Sequence, residues 1–136
     1  MISVQDAIGM LLKNARRLVG VETVALPGAL GRTLAENVVS PLDVPPVDNS
    51  AMDGYALRAG DWTGPESTLP LSQRITAGSV PEALEKGTAA RIFTGAGIPA
   101  EADTVVMQEK CDASNAGVRI LERPRPGDNI RPRGQD

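Results

Sequence analysis

Arg91-Ile92-Phe93-Thr94-Gly95-Ala96-Gly97-Ile98-Pro99-Ala100-Glu101-Ala102-Asp103-Thr104-Val105-Val106-Met107-Gln108-Glu109 reads as strand, glycine loop and strand. Gly95, Gly97 and Ala100 fit the G-x-G-x-x-G/A spacing of a dinucleotide-binding loop. That motif needs a helix directly after it, because the helix N-terminus receives the pyrophosphate. Here Pro99 interrupts it, no helical periodicity follows, and the Val- and Thr-rich run from Asp103 begins another strand. The stretch therefore argues against a dinucleotide-binding α/β fold and predicts a β-rich unit.

Outward from this stretch, short apolar runs at Gly54–Leu57, Leu69–Ile75, Ala89–Phe93, Thr104–Gln108 and Val118–Leu121 lie between Gly and Pro turns. Pro81–Glu85 offers at most one helical turn. The N-terminus differs. Ser3 caps a helix with Asp6 three residues on, and Ile8, Leu11, Leu12, Ala15, Leu18 and Val19 share one face until Gly20 stops it. The spacing predicts a helix from Ser3 to Gly20 that packs its apolar face into a core. Val21–Leu26 reads as a strand closed by Pro27-Gly28, and Leu34–Val39 as a further strand or extended segment. Pro41, Pro45 and Pro46 then break regular structure. The predicted fold is mainly β with an N-terminal helix: residues 1–45 form a helical and extended arm, and 46–136 a β-rich domain.

Composition narrows the function. The 136 residues suit one ordinary domain, and 41% hydrophobic with 23% charged residues argues against disorder. Aromatics are 2%, namely Tyr55, Trp62 and Phe93, which leaves little to stack on nucleic-acid bases. A net charge of −3 disfavours duplex binding. With no histidine, Ser-His-Asp catalysis, Cys-His catalysis and His-ligated zinc are excluded. Cys111 is the single cysteine, so there is no internal disulfide and no Cys cluster. No leader-like or membrane-length apolar run is present, and the chain is expected to be soluble and cytoplasmic, without nucleic-acid or membrane partners.

Four stretches could carry chemistry. Pro45 to Leu57 holds Asp48 and Asp53 among small polar residues, with Asn49 and Ser50 able to bond the local backbone. A carboxylate there could hold Mg²⁺ or orient water, or the stretch could be an ordinary turn. Thr94-Gly95-Ala96-Gly97 could form a nest of amides for an anion, or simply a glycine turn. Gln108 and Glu109 end a strand, where they face a cleft or solvent. Arg123–Asp136 reads as a loop or exit strand; Arg131 and Arg133, two apart, share a face where the chain is extended and could together clamp an oxyanion, or be solvated. Taken together, these suit a phosphorylated, anionic ligand with a hard cation.

The residues also carry a resemblance. Pro46-x-Asp48-Asn49-Ser50-Ala51-Met52-Asp53-Gly54-Tyr55-Ala56 is followed in order by Arg91-Ile92-x-Thr94-Gly95-Ala96-x-x-Pro99, by Ala102-Asp103-x-Val105-Val106-x-x-Glu109, and by Gly127-x-Asn129-Ile130-Arg131-x-x-Gly134-x-Asp136. With Ala29-Leu30-Gly31-Arg32-x-Leu34-Ala35 upstream, almost the whole chain resembles the N-terminal region of the MoeA family, the molybdopterin molybdenumtransferases, also the E-domain of gephyrin. The resemblance implies bifurcated, coiled β-sheets. It implies an enzyme of molybdenum cofactor biosynthesis that inserts molybdate into adenylylated molybdopterin, with Mg²⁺, releasing AMP. Its cleft would lie between this β-rich domain and the molybdopterin-binding domain of a dimer partner. Asp53 and Asp136 would then act through charge on Mg²⁺, water or molybdate, and Thr94 and Arg131 would hold the anionic ligand.

The same resemblance places the molybdopterin-binding domain, the C-terminal domain and a returning part of the arm outside these 136 residues, so the chain alone is expected to be inactive. Two positions depart from the family pattern. Gln135 stands where Glu is usual, and Glu101 where Gly is common, which predicts a backbone at Glu101 that avoids positive φ. The competing functions are a gephyrin-like, non-catalytic scaffold and a free-standing anion-binding β module.

Overall fold

A computed structural model describes residues 2–16 and 19–136. The chain divides into two compact units, Met1–Val39 and Ser40–Asp136.

Among the described residues of the first unit one α-helix forms, α1 (Val4–Asn14), with Ser3 Oγ accepting from the Asp6 amide as its N-cap. It is shorter than its periodicity predicts. The Ala15 amide turns back to Leu12 O at 3.3 Å, closing a tight last turn, and Ala15 itself is extended. Leu18, expected on the apolar face, lies outside the described residues. No α1 residue is buried, and Leu11 and Leu12 remain 73% and 71% exposed. The expected core packing of this face is therefore absent, because no described residue from 2 to 39 supplies a buried second layer. Val21–Leu26 and Leu34–Val39 likewise form no strands, and Leu26–Gly28 is a single 3₁₀ turn. A strand needs a ladder partner for its backbone groups, and the described residues of this unit offer none.

The second unit is built from nine short strands: β1 (Asn49–Ser50), β2 (Gly54–Leu57), β3 (Thr68–Leu69), β4 (Leu71–Ile75), β5 (Ala89–Ile92), β6 (Thr104–Met107), β7 (Cys111–Ser114), β8 (Gly117–Ile120) and β9 (Ile130–Arg131). They form a four-stranded sheet β4-β5-β2-β6, a three-stranded sheet β3-β8-β7 and the pair β1-β9. All pairings are antiparallel except β4–β5. Pro81–Glu85 forms no helical turn.

Alternation along the strands sends side chains to two cores, one on each face of the four-stranded sheet. Tyr55, Leu57, Ala89 and Val106 meet Leu69, Val118 and Ile120 of the three-stranded sheet. Ala56, Ala90, Ile92 and Val105 meet Ile75, Leu84 and Ala96, with Ile98, Ala102 and Ile130 packed at the margin. Trp62 covers the first core and donates its indole N–H to Ile120 O at 3.0 Å. Gly54 lets β2 approach β6, since a Cβ there would stand 2.0 Å from Val106 O.

Glu101 departs from expectation, because its φ is 74°. The left-handed turn persists without glycine. Arg58 secures it, donating from Nε to Glu101 O at 3.0 Å and from Nη2 to the Glu101 carboxylate at 2.9 Å. Among the described residues, no helix is long and apolar enough to cross a membrane.

Candidate functional site

The two residues of β1 gather the chain's motifs. On one edge Asn49 and Ser50 pair with Arg131 and Ile130. On the other, the Ser50 amide donates to Ala96 O at 2.9 Å and Ser50 O accepts from the Gly95 amide at 2.8 Å. The Asp48–Asp53 loop, the glycine loop and the C-terminal stretch are thereby fixed side by side. Ser50 Oγ folds the loop by donating to Met52 O at 2.6 Å, as its sequence suggests. Asn49 does not follow suit: its Oδ1 is buried without a hydrogen-bond partner.

Asp53 and Thr94, 41 positions apart, are in direct contact. Asp53 Oδ1 accepts from both the Thr94 amide and the Thr94 hydroxyl, each at 2.8 Å. The Thr94 amide is the strongest influence holding the Asp53 carboxyl below its usual range. The Thr94 hydroxyl and the Arg91 charge act in the same direction, against the partial loss of water. Asp53 O accepts from the Gln108 amide at 3.0 Å, so the loop is also pinned to the end of β6.

The glycine loop is not an open anion nest. Its Thr94 amide is taken by Asp53, its Gly95 amide by Ser50 O and its Ala96 amide by Phe93 O. The anion that the loop holds is the protein's own carboxylate.

Arg131 and Asp136 form the second pair, with Nη2 donating to Oδ1 at 2.8 Å and Oδ2 at 2.7 Å. Arg131 and Arg133 do not act as one clamp. Arg133 Nε donates to Asp43 Oδ2 at 2.6 Å and its amide to Asp48 Oδ1 at 2.7 Å. Each arginine has its own carboxylate, and Asp48 is a strut for the C-terminal stretch. Among the described residues, no hydrogen bond or ion pair joins the Asp53–Thr94 pair to the Arg131–Asp136 pair, and β1 lies between the segments that carry them. Glu109 is exposed and accepts from Gln108 Nε2 at 3.2 Å.

Arg91 and Phe93, to which the sequence assigns no role, stand beside the Asp53–Thr94 pair. Arg91 donates from Nη1 to Gly54 O at 2.7 Å and from Nη2 to Gln108 Oε1 at 2.7 Å. Its guanidinium lies over Tyr55 at 5.2 Å and Phe93 at 4.4 Å. The signal was the alternation of Arg91 and Phe93 on one strand face. An open groove of about 400 Å³ beside β6, lined by Lys110, Glu122, Arg123 and Arg125 among others, holds none of the four predicted residues. Among the described residues, no group of three or more His, Cys, Asp or Glu could hold a metal ion.

The family described as the MoeA N-terminal region (domain I and II) matches residues 2–136. The molybdopterin molybdenumtransferase of Nostoc sp. is 45% identical over 139 residues, covering 96% of this chain and 32% of that protein. The molybdopterin molybdenumtransferase of Haemophilus influenzae is 37% identical over 138 residues, covering 100% of this chain and 34% of that protein. Among solved structures, the molybdopterin biosynthesis MoeA protein of Pyrococcus horikoshii OT3 superposes with a TM-score of 0.81 at 36% identity, covering 97% of this chain and 36% of that one. The chain spans about a third of the length of the curated relatives it matches.

Proposed function

The chain belongs to the MoeA N-terminal-region family, and from that membership we propose that it forms one wall of a molybdopterin molybdenumtransferase site. The reaction is insertion of molybdate into adenylylated molybdopterin with release of AMP. The second wall is the molybdopterin-binding domain of a partner subunit in a homodimer, working in the cytoplasm.

The observation that carries this reading is the Asp53–Thr94 pair. Two donors on Oδ1 keep the carboxylate ionised and aimed while it stays at the surface. A fixed negative charge of this kind orients water or a cation without reorganising during reaction. Among the described residues Asp53 Oδ2 takes no hydrogen bond, so it is open to a ligand. Mg²⁺ typically uses one or two carboxylates and completes its shell with water and substrate phosphates. A single open carboxylate fits that share, although the described residues offer no all-protein cage. Bound there, the ion would supply neutralisation of phosphate charge. Arg131, held by Asp136, is the cationic side of the same wall and binds the anionic substrate by exchanging that carboxylate for it.

The test is Asp53→Asn in the full-length protein. The swap keeps size and hydrogen-bonding capacity and removes the charge. Molybdenum insertion should fall by about 10²–10³-fold, the usual cost of deleting one preorganised electrostatic group. Normal insertion by this variant would remove Asp53 from the site.

A further inference from the structure

Beside the Asp53–Thr94 pair the four-stranded sheet carries two arginines that the proposed chemistry does not use. Arg74 and Arg91 are register partners in the parallel β4–β5 pair, so their side chains leave the same face. Their guanidinium carbons lie over the Phe93 ring at 4.8 and 4.4 Å. Like charges placed opposite each other on a sheet repel, and an arrangement of this kind needs compensation.

Among the described residues, six other basic residues are compensated by carboxylates, while exposed ones such as Arg123 and Arg125 are not. The ion pairs among the described residues take up Arg32, Arg58, Lys110, Arg119, Arg131 and Arg133. Arg74 and Arg91 enter none of them. Arg91 spends its donors on the neutral oxygens of Gly54, Ile92 and Gln108, which fix the guanidinium without cancelling its charge. Arg74 is exposed and, among the described residues, makes no side-chain hydrogen bond. The ring on which both rest belongs to Phe93, directly before Thr94. Stacking on an aromatic face holds a guanidinium flat while leaving its edge N–H groups free.

We propose that Arg74 and Arg91, stacked on Phe93, form a binding subsite for a tetrahedral oxyanion beside the Asp53–Thr94 pair. Arg74 supplies the forked donors and Arg91 a fixed second charge. The shared chemistry covers a phosphate ester and molybdate. Which of them arrives rests on the functional reading above, whereas oxyanion binding at this place does not.

The experiment is an amide and arginine-side-chain NMR titration of the chain with inorganic phosphate and, separately, with molybdate, at constant ionic strength. The expected result is saturable shifts at Arg74 and at residues 93–95. Arg74→Gln should weaken binding about tenfold, the cost of one charge-assisted hydrogen bond. Arg74→Lys, which keeps the charge and loses the fork, should fall between the two. Saturation by phosphate alone or by molybdate alone assigns the source. Non-saturating shifts, or unchanged binding in both Arg74 variants, would overturn the subsite. Should Arg74→Gln fail to fold, Arg74→Lys decides by the same criterion. Failure of the functional reading is separable: a full-length Asp53→Asn protein that still inserts molybdenum sinks that reading and leaves a positive titration standing.

Discussion

Gly54→Ala should be among the most damaging single-methyl additions in the chain. An ideal Cβ at Gly54 would lie 2.0 Å from Val106 O, 2.8 Å from Val106 C and 3.1 Å from Met107 Cα. These are backbone atoms of the neighbouring strand, so no side-chain rotation relieves the clash. Relief requires β2 to move from β6, with which it pairs at Gly54–Met107 and Tyr55–Val106. Overpacking costs about 1–3 kcal/mol, and each ladder hydrogen bond lost adds about 1 kcal/mol. The sum is about 3 kcal/mol, or a fall in Tm of about 10 °C for a chain of this size. Gly60→Ala is the control. Its Cβ would meet nothing within 4 Å, so the change should stay within about 0.5 kcal/mol. Differential scanning calorimetry of both variants beside the wild type reads the contrast. A Gly54→Ala protein melting within about 2 °C of the wild type would refute the argument that backbone approach fixes this position.

Three further outcomes are expected. Because the folded Asp53 carboxyl titrates below its ordinary value, its stabilising contribution is complete above the unfolded value near pH 3.9 and is lost as pH falls through the folded one; wild type and Asp53→Asn should therefore differ most above about pH 4 and converge at strongly acid pH in melts. Cys111, whose thiol donates to Met107 O at 3.3 Å and is pushed up to about 12 by burial, should react with a thiol reagent at pH 8 only after unfolding, and rapid labelling of the native chain would contradict this. Ile92→Ala, at a fully buried site, should cost 2–5 kcal/mol in urea unfolding, whereas Leu11→Ala on exposed α1 should cost about 0.5 kcal/mol or less.

The β-rich unit was legible because its strand runs are bounded by Gly and Pro and alternate in step with two cores. Pro99 decided against an α/β reading, and the chain indeed passes from β5 to β6 without a helix. The strand β7 was not legible, since Cys111–Ser114 is mostly polar and is a strand only because β8 folds back on it through Asn115-Ala116. Nor was β1, and β9 was open as loop or exit strand; both are two residues long and exist through pairing distant in sequence. The arm failed differently. Val21–Leu26 has strand composition, but composition supplies no ladder partner. At the site, the Asp53 and Thr94 positions were legible as loop motifs, while their contact across 41 positions was not. Arg131 and Arg133 misled, because spacing of two places side chains on one face of a strand but says nothing of the carboxylates that meet each of them. Glu101 misled for a related reason: local preference forbids positive φ, and a tertiary contact from Arg58 overrides it.

The central claim is that Asp53 belongs to one wall of a site whose other wall comes from a partner subunit. It is tested most directly by mixing two inactive full-length proteins. One carries Asp53→Asn; the other carries a lesion confined to its molybdopterin-binding domain. After the subunits exchange, each mixed dimer contains one site with both walls intact, so molybdenum insertion should return to about a quarter of the wild-type rate, half the dimers being mixed and each having one of two sites. A mixture that stays as inactive as its two parents, with subunit exchange confirmed, would contradict the account.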